Sequence, residues 1–279
     1  MPSPSPQTLS SFFDNVDGIV LTAGAGMGID SGLPDFRGPQ GFWKAYPALG
    51  DARLSFEEMA SPQSFDRDPK LAWGFYGHRL TIYRQTRPHD GFSLLLRIGS
   101  LAPRGIFVFT SNVDGQFTKA GYSEDRVLEC HGSIHHLQCL NDCRGLIWSA
   151  DSLVVPEVDT QRVLLRSDLP RCPACGGLAR PNILMFNDGG WNPARTGAQS
   201  LRWQAWRESC SRLVVIEIGA GTAVSTVRHF GESLGVPHLR INPREPETYR
   251  PHDISLPMGA LEGIRLIAAS LGMSDFGMV

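Results

Sequence analysis

The sequence predicts an α/β protein, a parallel sheet flanked by helices, with a small cysteine-bearing module set into it. Three observations carry that expectation. Short apolar runs ending in glycine or polar turns recur at "GIVLTAG", "GIFVFTSNVDG" and "RLVVIEIGAGTA", the pattern of buried parallel strands. The stretches between and after them carry helical periodicity. Residues 137–180 differ in character and hold two close cysteine pairs.

Composition bounds the function. The 279 residues are 42% hydrophobic and 19% charged, with a formal net charge of −2, an ordinary globular chain long enough to bury a substantial core. Near-neutral charge speaks against direct nucleic-acid binding, which draws on a basic excess. No basic segment followed by a long apolar run opens the chain, so no signal peptide is expected. The longest apolar runs are strand-length, and no membrane span or membrane partner is expected. Six cysteines are too few for a disulfide scaffold at this length. Four fall in close pairs, which suggests metal in a reducing compartment, the cytoplasm.

The elements follow in order. The Ser/Pro-rich residues 1–12 read as a disordered tail. "GIVLTAG" is a strand entering a glycine turn, and "TAGAGMGIDSGLPDFRG" begins like a dinucleotide phosphate loop. After Gly24 and Gly26 the third glycine of that fingerprint is missing; Ile29 stands there. "DPKLAWGFYGHRLTIYRQTRPHDGFSLLLRIG" is helical with a break at Pro88, and "GALEGIRLIAASLG" is a closing amphipathic helix. Open parallel sheets bind ligands at the carboxyl ends of their strands. The loops after the three strands should therefore converge on one cleft.

"CLNDC" and "CPACGG" supply Cys139, Cys143, Cys172 and Cys175. Two short pairs separated by a variable loop suit a tetrahedral four-cysteine zinc site. The plainer reading is four unrelated buried thiols. A closed set of four leaves no open coordination position, so the expected role is structural. Cys130 and Cys210 have no partner pattern and read as buried apolar residues.

"GAGMGIDSGLPDFRG", "TSNVDGQFTKAG", "ECHGSIHHLQC", "CPACGGLARPNILMF", "GAGTA" and "INPRE" occur in this order. Together they resemble the sirtuin (Sir2) family of NAD-dependent protein deacylases, in its bacterial form, over about residues 15–270. The resemblance implies an inverted Rossmann-like domain from residues 13–40, 88–136 and 181–279. A small domain would combine a helical insertion, 41–87, with the zinc module, 137–180. NAD and an acyl-lysine protein or peptide would bind between them. Gly24, Ala25 and Gly26 would bring backbone amides to the cofactor's pyrophosphate. Asp35, Phe36 and Arg37 would belong to a loop folding over the cofactor, where Phe36 shields the reactive ribose carbon from water. Asn112 would orient the nicotinamide ribose and Asp114 would bind the carboxamide. His131 would be the general base on a ribose hydroxyl, a task suited to a near-neutral imidazole. Gly219, Gly221 and Thr222 match a second phosphate-side loop, and Asn242 the contact to the adenosine ribose. "NILMFND", including Phe186, would be the edge along which the substrate peptide lies.

Three departures remove hydrogen-bonding groups around the cofactor: Gly28 and Ala223 each replace a serine, and Ser111 replaces a glutamine of the nicotinamide side. "INPRE" is also one residue longer than the usual motif, so no role passes to Glu245. Tyr76 and Arg79 have the Tyr-x-x-Arg spacing of sirtuins that accept acidic acyl groups such as succinyl. One helical turn apart, they share a face, and a guanidinium can hold a carboxylate bidentately. The plainer reading is a packed tyrosine and an exposed arginine. The expected activity is lysine deacylation with acyl transfer to ADP-ribose. Mono-ADP-ribosyl transfer or NAD hydrolysis on the same scaffold is the alternative, and a binding module without turnover a third.

Overall fold

Apolar runs of five or six residues that are buried at every position belong to sheet strands covered on both faces. The computed structural model, which describes residues 4–34, 38–153 and 156–273, builds such a sheet. The chain begins with helix α1 (Pro6–Ser11), strand β1 (Gly18–Ala23) and a 3-10 turn (Ala25–Ser31). Helices α2 (Gly38–Ala45), α3 (Pro47–Asp51), α4 (Phe56–Met59), α5 (Pro62–Arg67), α6 (Pro69–Gln85) and α7 (Asp90–Gly99) follow. Next come β2 (Ile106–Thr110), α8 (Gln116–Lys119), β3 (Val127–Glu129), β4 (Gly132–Cys139) and β5 (Ile147–Ser149). Strands β6 (Val158–Asp159), β7 (Leu164–Leu165) and β8 (Ala179–Ile183) precede α9 (Ala194–Glu208). The chain closes with β9 (Leu213–Ile218), α10 (Thr226–Ser233), β10 (His238–Ile241), β11 (Ile254–Leu256) and α11 (Ala260–Ser270).

The main sheet runs β3-β2-β1-β9-β10-β11, all parallel. That is the doubly wound dinucleotide order, with its switch point between β1 and β9, where the crevice for a ligand opens. Alternation along the strands feeds two cores. Leu21, Val108 and Ile216 pack with Phe92, Leu95, Ile264 and Ile267 of α7 and α11. Val20, Phe107 and Val215 pack on the other face with Trp203, Trp206 and Val227 of α9 and α10.

A third core lies outside the sheet. It joins Phe42, Phe65, Trp73 and Tyr76 of the helical segment to Leu137 and Leu165 of the cysteine-bearing segment, with Ile183 and Met185. The antiparallel sheet β5-β4-β8 backs it, and the Trp73 indole donates to the Ala179 carbonyl at 2.8 Å. Helix α6 comes so close to β7 that a Cβ on Gly74 would stand 2.0 Å from the Val163 carbonyl oxygen. Only glycine fits there.

The break expected at Pro88 separates α6 from α7, and the expected closing helix is α11. The amino terminus differs from expectation. Residues 1–12 read as a disordered tail, yet α1 forms there. Ser5 caps it by accepting from the Thr8 amide, Pro6 sits in its first turn, and Leu9 is wholly buried. A serine cap followed by proline is a helix start, and Leu9 supplies the apolar anchor.

Candidate functional site

The loops after β1, β2 and β9 converge on one cavity of about 750 Å³ at the switch point of the sheet, a volume typical of small-molecule sites. Gly24, Ala25, Ser111, Asn112, Asp114, His131, Gly221 and Thr222 line it, and Tyr76, Arg79 and Phe186 close its other end. Gly26, Gly219 and Asn242 are not on its wall. Asp35, Phe36 and Arg37 lie outside the described residues.

The two glycine loops pack backbone to backbone. A Cβ on Gly24 would meet the Gly219 carbonyl oxygen at 2.8 Å, and one on Gly219, whose φ is +62°, would meet the Gly26 Cα at 2.4 Å. The Gly24 amide donates to the Ile218 carbonyl at 3.0 Å and the Gly26 amide to the Gly219 carbonyl at 3.1 Å. Both amides donate inside the protein, and Ala25 of the same loop lines the cavity. The glycines are needed because one loop sits on the other. At Gly28, a Cβ would press on the Leu33 side chain at 2.8 Å, so the missing serine there goes with tight local packing.

On the β2 side, Thr110 Oγ1 donates to the Ala23 carbonyl at 2.8 Å and accepts from the Asn112 amide at 3.0 Å. The Asn112 side chain donates to the Gly24 carbonyl at 3.0 Å, tying the β2 loop to the β1 loop. Asp114 is buried, and its carboxylate accepts from the Gln116 amide at 3.0 Å. Burial, aided by the Glu129 charge, pushes its pKa up to about 6, against the opposing pull of that amide and of Arg79. His131 is half-buried on the cavity wall. Its carbonyl accepts from the Leu184 amide at 2.9 Å, and burial holds its imidazole below the usual 6.5. A neutral imidazole near pH 7 has a lone pair to take a proton. His135 is structural: its Nε2 pairs with the Asp114 carbonyl at 2.9 Å.

The β9 side holds an arrangement the sequence reading missed. Glu245 reaches back to Thr222, accepting from its amide at 3.0 Å and from its hydroxyl at 2.6 Å. Arg228 braces the same segment, donating to the Ala220 and Glu245 carbonyls at 3.1 and 2.6 Å. Asn242 is wholly buried. Its amide donates to the Ala220 carbonyl at 2.8 Å, and its oxygen accepts from the Arg244 and Glu245 amides. Asn242 therefore shapes the loop, and Glu245 and Arg244 are the residues that reach the cavity.

At the far end, Asp68 caps α6 by accepting from the Lys70 and Leu71 amides, with Pro69 in the first turn. Arg79 is only 8% exposed, so the exposed-arginine reading falls. Its Nε and Nη2 donate to the Tyr83 hydroxyl at 3.1 and 2.8 Å, and its guanidinium lies 5.2 Å from the Phe75 ring centre. The Tyr76 hydroxyl is buried and has no hydrogen-bond partner among the described residues. The spacing Tyr76–Arg79–Tyr83 was readable as one helical face. Beside them, the Phe186 amide donates to the Ala60 carbonyl at 2.8 Å. A buried pair fixes this segment: Arg180 donates twice to Asp188, at 2.8 and 3.0 Å.

The four cysteines meet one another, and none of them lines the cavity. Their sulfurs lie within 4.8 Å of one another, with Cys139–Cys175 and Cys143–Cys172 each 3.7 Å apart. A tetrahedral zinc about 2.3 Å from each sulfur requires edges of about 3.8 Å, whereas a disulfide needs about 2.05 Å. The sulfurs fit the ion and exclude the bond.

Residues 24–225 match the Sir2 family. An NAD-dependent protein deacylase of Aeropyrum pernix is 29% identical over 257 residues, spanning 91% of this chain and 92% of that protein. The mitochondrial NAD-dependent protein deacylase sirtuin-5 of Danio rerio is 29% identical over 201 residues, 67% of this chain and 62% of that one. The structure of a Sir2 homologue in complex with NAD superposes with a TM-score of 0.71 at 24% identity, covering 97% of this chain and 95% of that one. That likeness shows a shared fold.

Proposed function

The chain belongs to the Sir2 family, and from that premise we propose that it is an NAD-dependent protein-lysine deacylase accepting both acetyl and acidic acyl groups. The single observation that carries the proposal is the cavity itself, which joins the glycine loops and His131 to a buried Tyr76–Arg79 end. NAD would supply a ribose carbon that the acyl oxygen attacks as nicotinamide leaves, and one water, which breaks the bond between the acyl carbon and the lysine nitrogen, would complete the release of free lysine and O-acyl-ADP-ribose.

The chain's residues divide the remaining work. His131, kept neutral by burial, takes the proton of a ribose hydroxyl, a contribution of about 100- to 10,000-fold. Asp114, on the cavity wall and buried, holds the nicotinamide carboxamide. Asn112 keeps the two loops in register through the Gly24 carbonyl, and Thr222, held by Glu245 through its amide and hydroxyl, borders the cofactor on the β9 side of the cavity. Cys139, Cys143, Cys172 and Cys175 would hold a zinc ion, which would fasten β4 to the loop before β8. The peptide lies along residues 182–188, and its acyl group points toward Arg79. The Tyr76 phenol, buried and without a partner among the described residues, suits a carboxylate arriving beside that guanidinium.

The division into a large domain (13–40, 88–136, 181–279) and a small one (41–87, 137–180) is part of this reading, supported by the separate third core. No helix among the described residues is long and apolar enough to cross a membrane; we place the enzyme in the cytoplasm, where thiolate ligands stay reduced.

His131→Ala tests the assignment: it should cut turnover of an acetyl-lysine peptide at least about 100-fold with unchanged zinc content and melting temperature. Undiminished turnover would remove His131 from the chemistry. Nicotinamide released without loss of acyl would favour ADP-ribosyl transfer or NAD hydrolysis.

A further inference from the structure

Tyr83 stands one helical turn beyond Arg79 and two beyond Tyr76 on α6, so the three share a face. All three line the cavity. The Tyr83 phenol oxygen accepts from both Nε and Nη2 of Arg79, at 3.1 and 2.8 Å. Those adjacent donors form one edge of the guanidinium, the edge a carboxylate grips with two oxygens. The phenol offers a single neutral oxygen where an acyl carboxylate would offer two charged ones. Rings of Phe75, Tyr83, Tyr76 and Phe56 surround the guanidinium at 5.2 to 6.0 Å. In so dry a setting these N–H groups must keep an acceptor.

We propose that Tyr83 is a positioning residue that sets acyl selectivity by holding the Nε–Nη2 edge of Arg79. The phenol keeps that edge satisfied while a neutral acyl group such as acetyl fills the cavity. It gives the edge up to the carboxylate of an acidic acyl group such as succinyl. The exchange has two consequences. Acetyl-lysine is tolerated because these two N–H groups are never stripped of an oxygen. Succinyl-lysine gains less than a bare arginine edge would give it, because a bond must be broken for each new one made. Tyr83 thus narrows the difference between the two substrates. The inference rests on the reading of this end of the cavity as the acyl site.

The test compares kcat/KM for matched acetyl- and succinyl-lysine peptides in wild type, Tyr83→Phe, Arg79→Met and the double variant, with NAD saturating. Tyr83→Phe keeps the ring and removes only the oxygen. It should raise the succinyl-to-acetyl ratio about tenfold, mainly through a higher KM for the acetyl peptide, with kcat within about twofold. Arg79→Met should lower the ratio about 100-fold, and Tyr83→Phe added to it should change nothing further. A ratio unchanged in Tyr83→Phe, with both peptides losing equally, means ring packing alone and overturns the proposal. A ratio that falls makes Tyr83 a direct ligand of the carboxylate and overturns it as well. If Arg79→Met leaves the ratio where it was, the acyl-site reading fails and takes this inference with it. If Arg79→Met lowers the ratio but Tyr83→Phe does not raise it, only the role of Tyr83 fails.

Discussion

Asp188→Ala should destabilise the protein severely, and the structure says by how much. The side chains of Arg180 and Asp188 are 1% and 0% exposed, and two hydrogen bonds join them. The carboxylate also accepts from the Met185 and Gly190 amides, each at 3.1 Å. Deleting it strands a buried guanidinium, a cost of about 3–5 kcal/mol for breaking such a pair from one side. The two amides lose their acceptor as well. For a chain of this size, 1 kcal/mol moves the melting temperature about 2–4 °C, so a fall of roughly 10 °C is expected. The double variant Arg180→Met/Asp188→Leu removes both charges and should cost less than the single one, because exchanging a buried pair for apolar groups is often near neutral. Differential scanning fluorimetry and urea titration of the zinc-loaded protein read both effects. A fall of less than about 2 °C for Asp188→Ala, or a double variant weaker than the single, would refute the reasoning.

Three further predictions concern the cavity and the metal. The acid limb of kcat/KM should lie below pH 6.5, because burial depresses the His131 pKa; a limb well above pH 7 would contradict a base held neutral by burial. Asp114 titrates at about 6 in the fold against 3.8 unfolded. Folding is therefore favoured below 3.8, and that advantage is lost as pH rises through 6. Asp114→Asn should accordingly stabilise the protein at pH 8 by about 3 kcal/mol, by roughly half as much at pH 5, and abolish nicotinamide release; equal urea midpoints for the variant and wild type at both pH values would count against it. Chelation of zinc, or Cys175→Ser, should release about one metal equivalent and lower the melting temperature with it, whereas full metal content in Cys175→Ser would count against the four-sulfur site.

The sequence announced the scaffold because a buried strand is a local signal. "GIVLTAG", "GIFVFT" and "RLVVIEI" need no partner to be read, and cysteine spacing is local too. The contacts that build the cavity are not. Gly24 and Gly219 are glycines because the β1 and β9 loops, far apart in sequence, pack backbone to backbone, and no local rule distinguishes that from glycines kept for a phosphate. Asn242 matched a motif, yet its side chain turns inward to shape the loop, while Glu245, set aside for its spacing, reaches Thr222. The α1 helix was hidden by its composition, although Ser5 and Pro6 carried the capping signal.

The most direct test of the deacylase account is the identity of the product. The purified protein, NAD and an acetyl-lysine peptide, followed by mass spectrometry, should yield free lysine, nicotinamide and O-acetyl-ADP-ribose in equal amounts. NAD consumed with the peptide still acetylated, or the acetyl group recovered as free acetate from the outset, would contradict it.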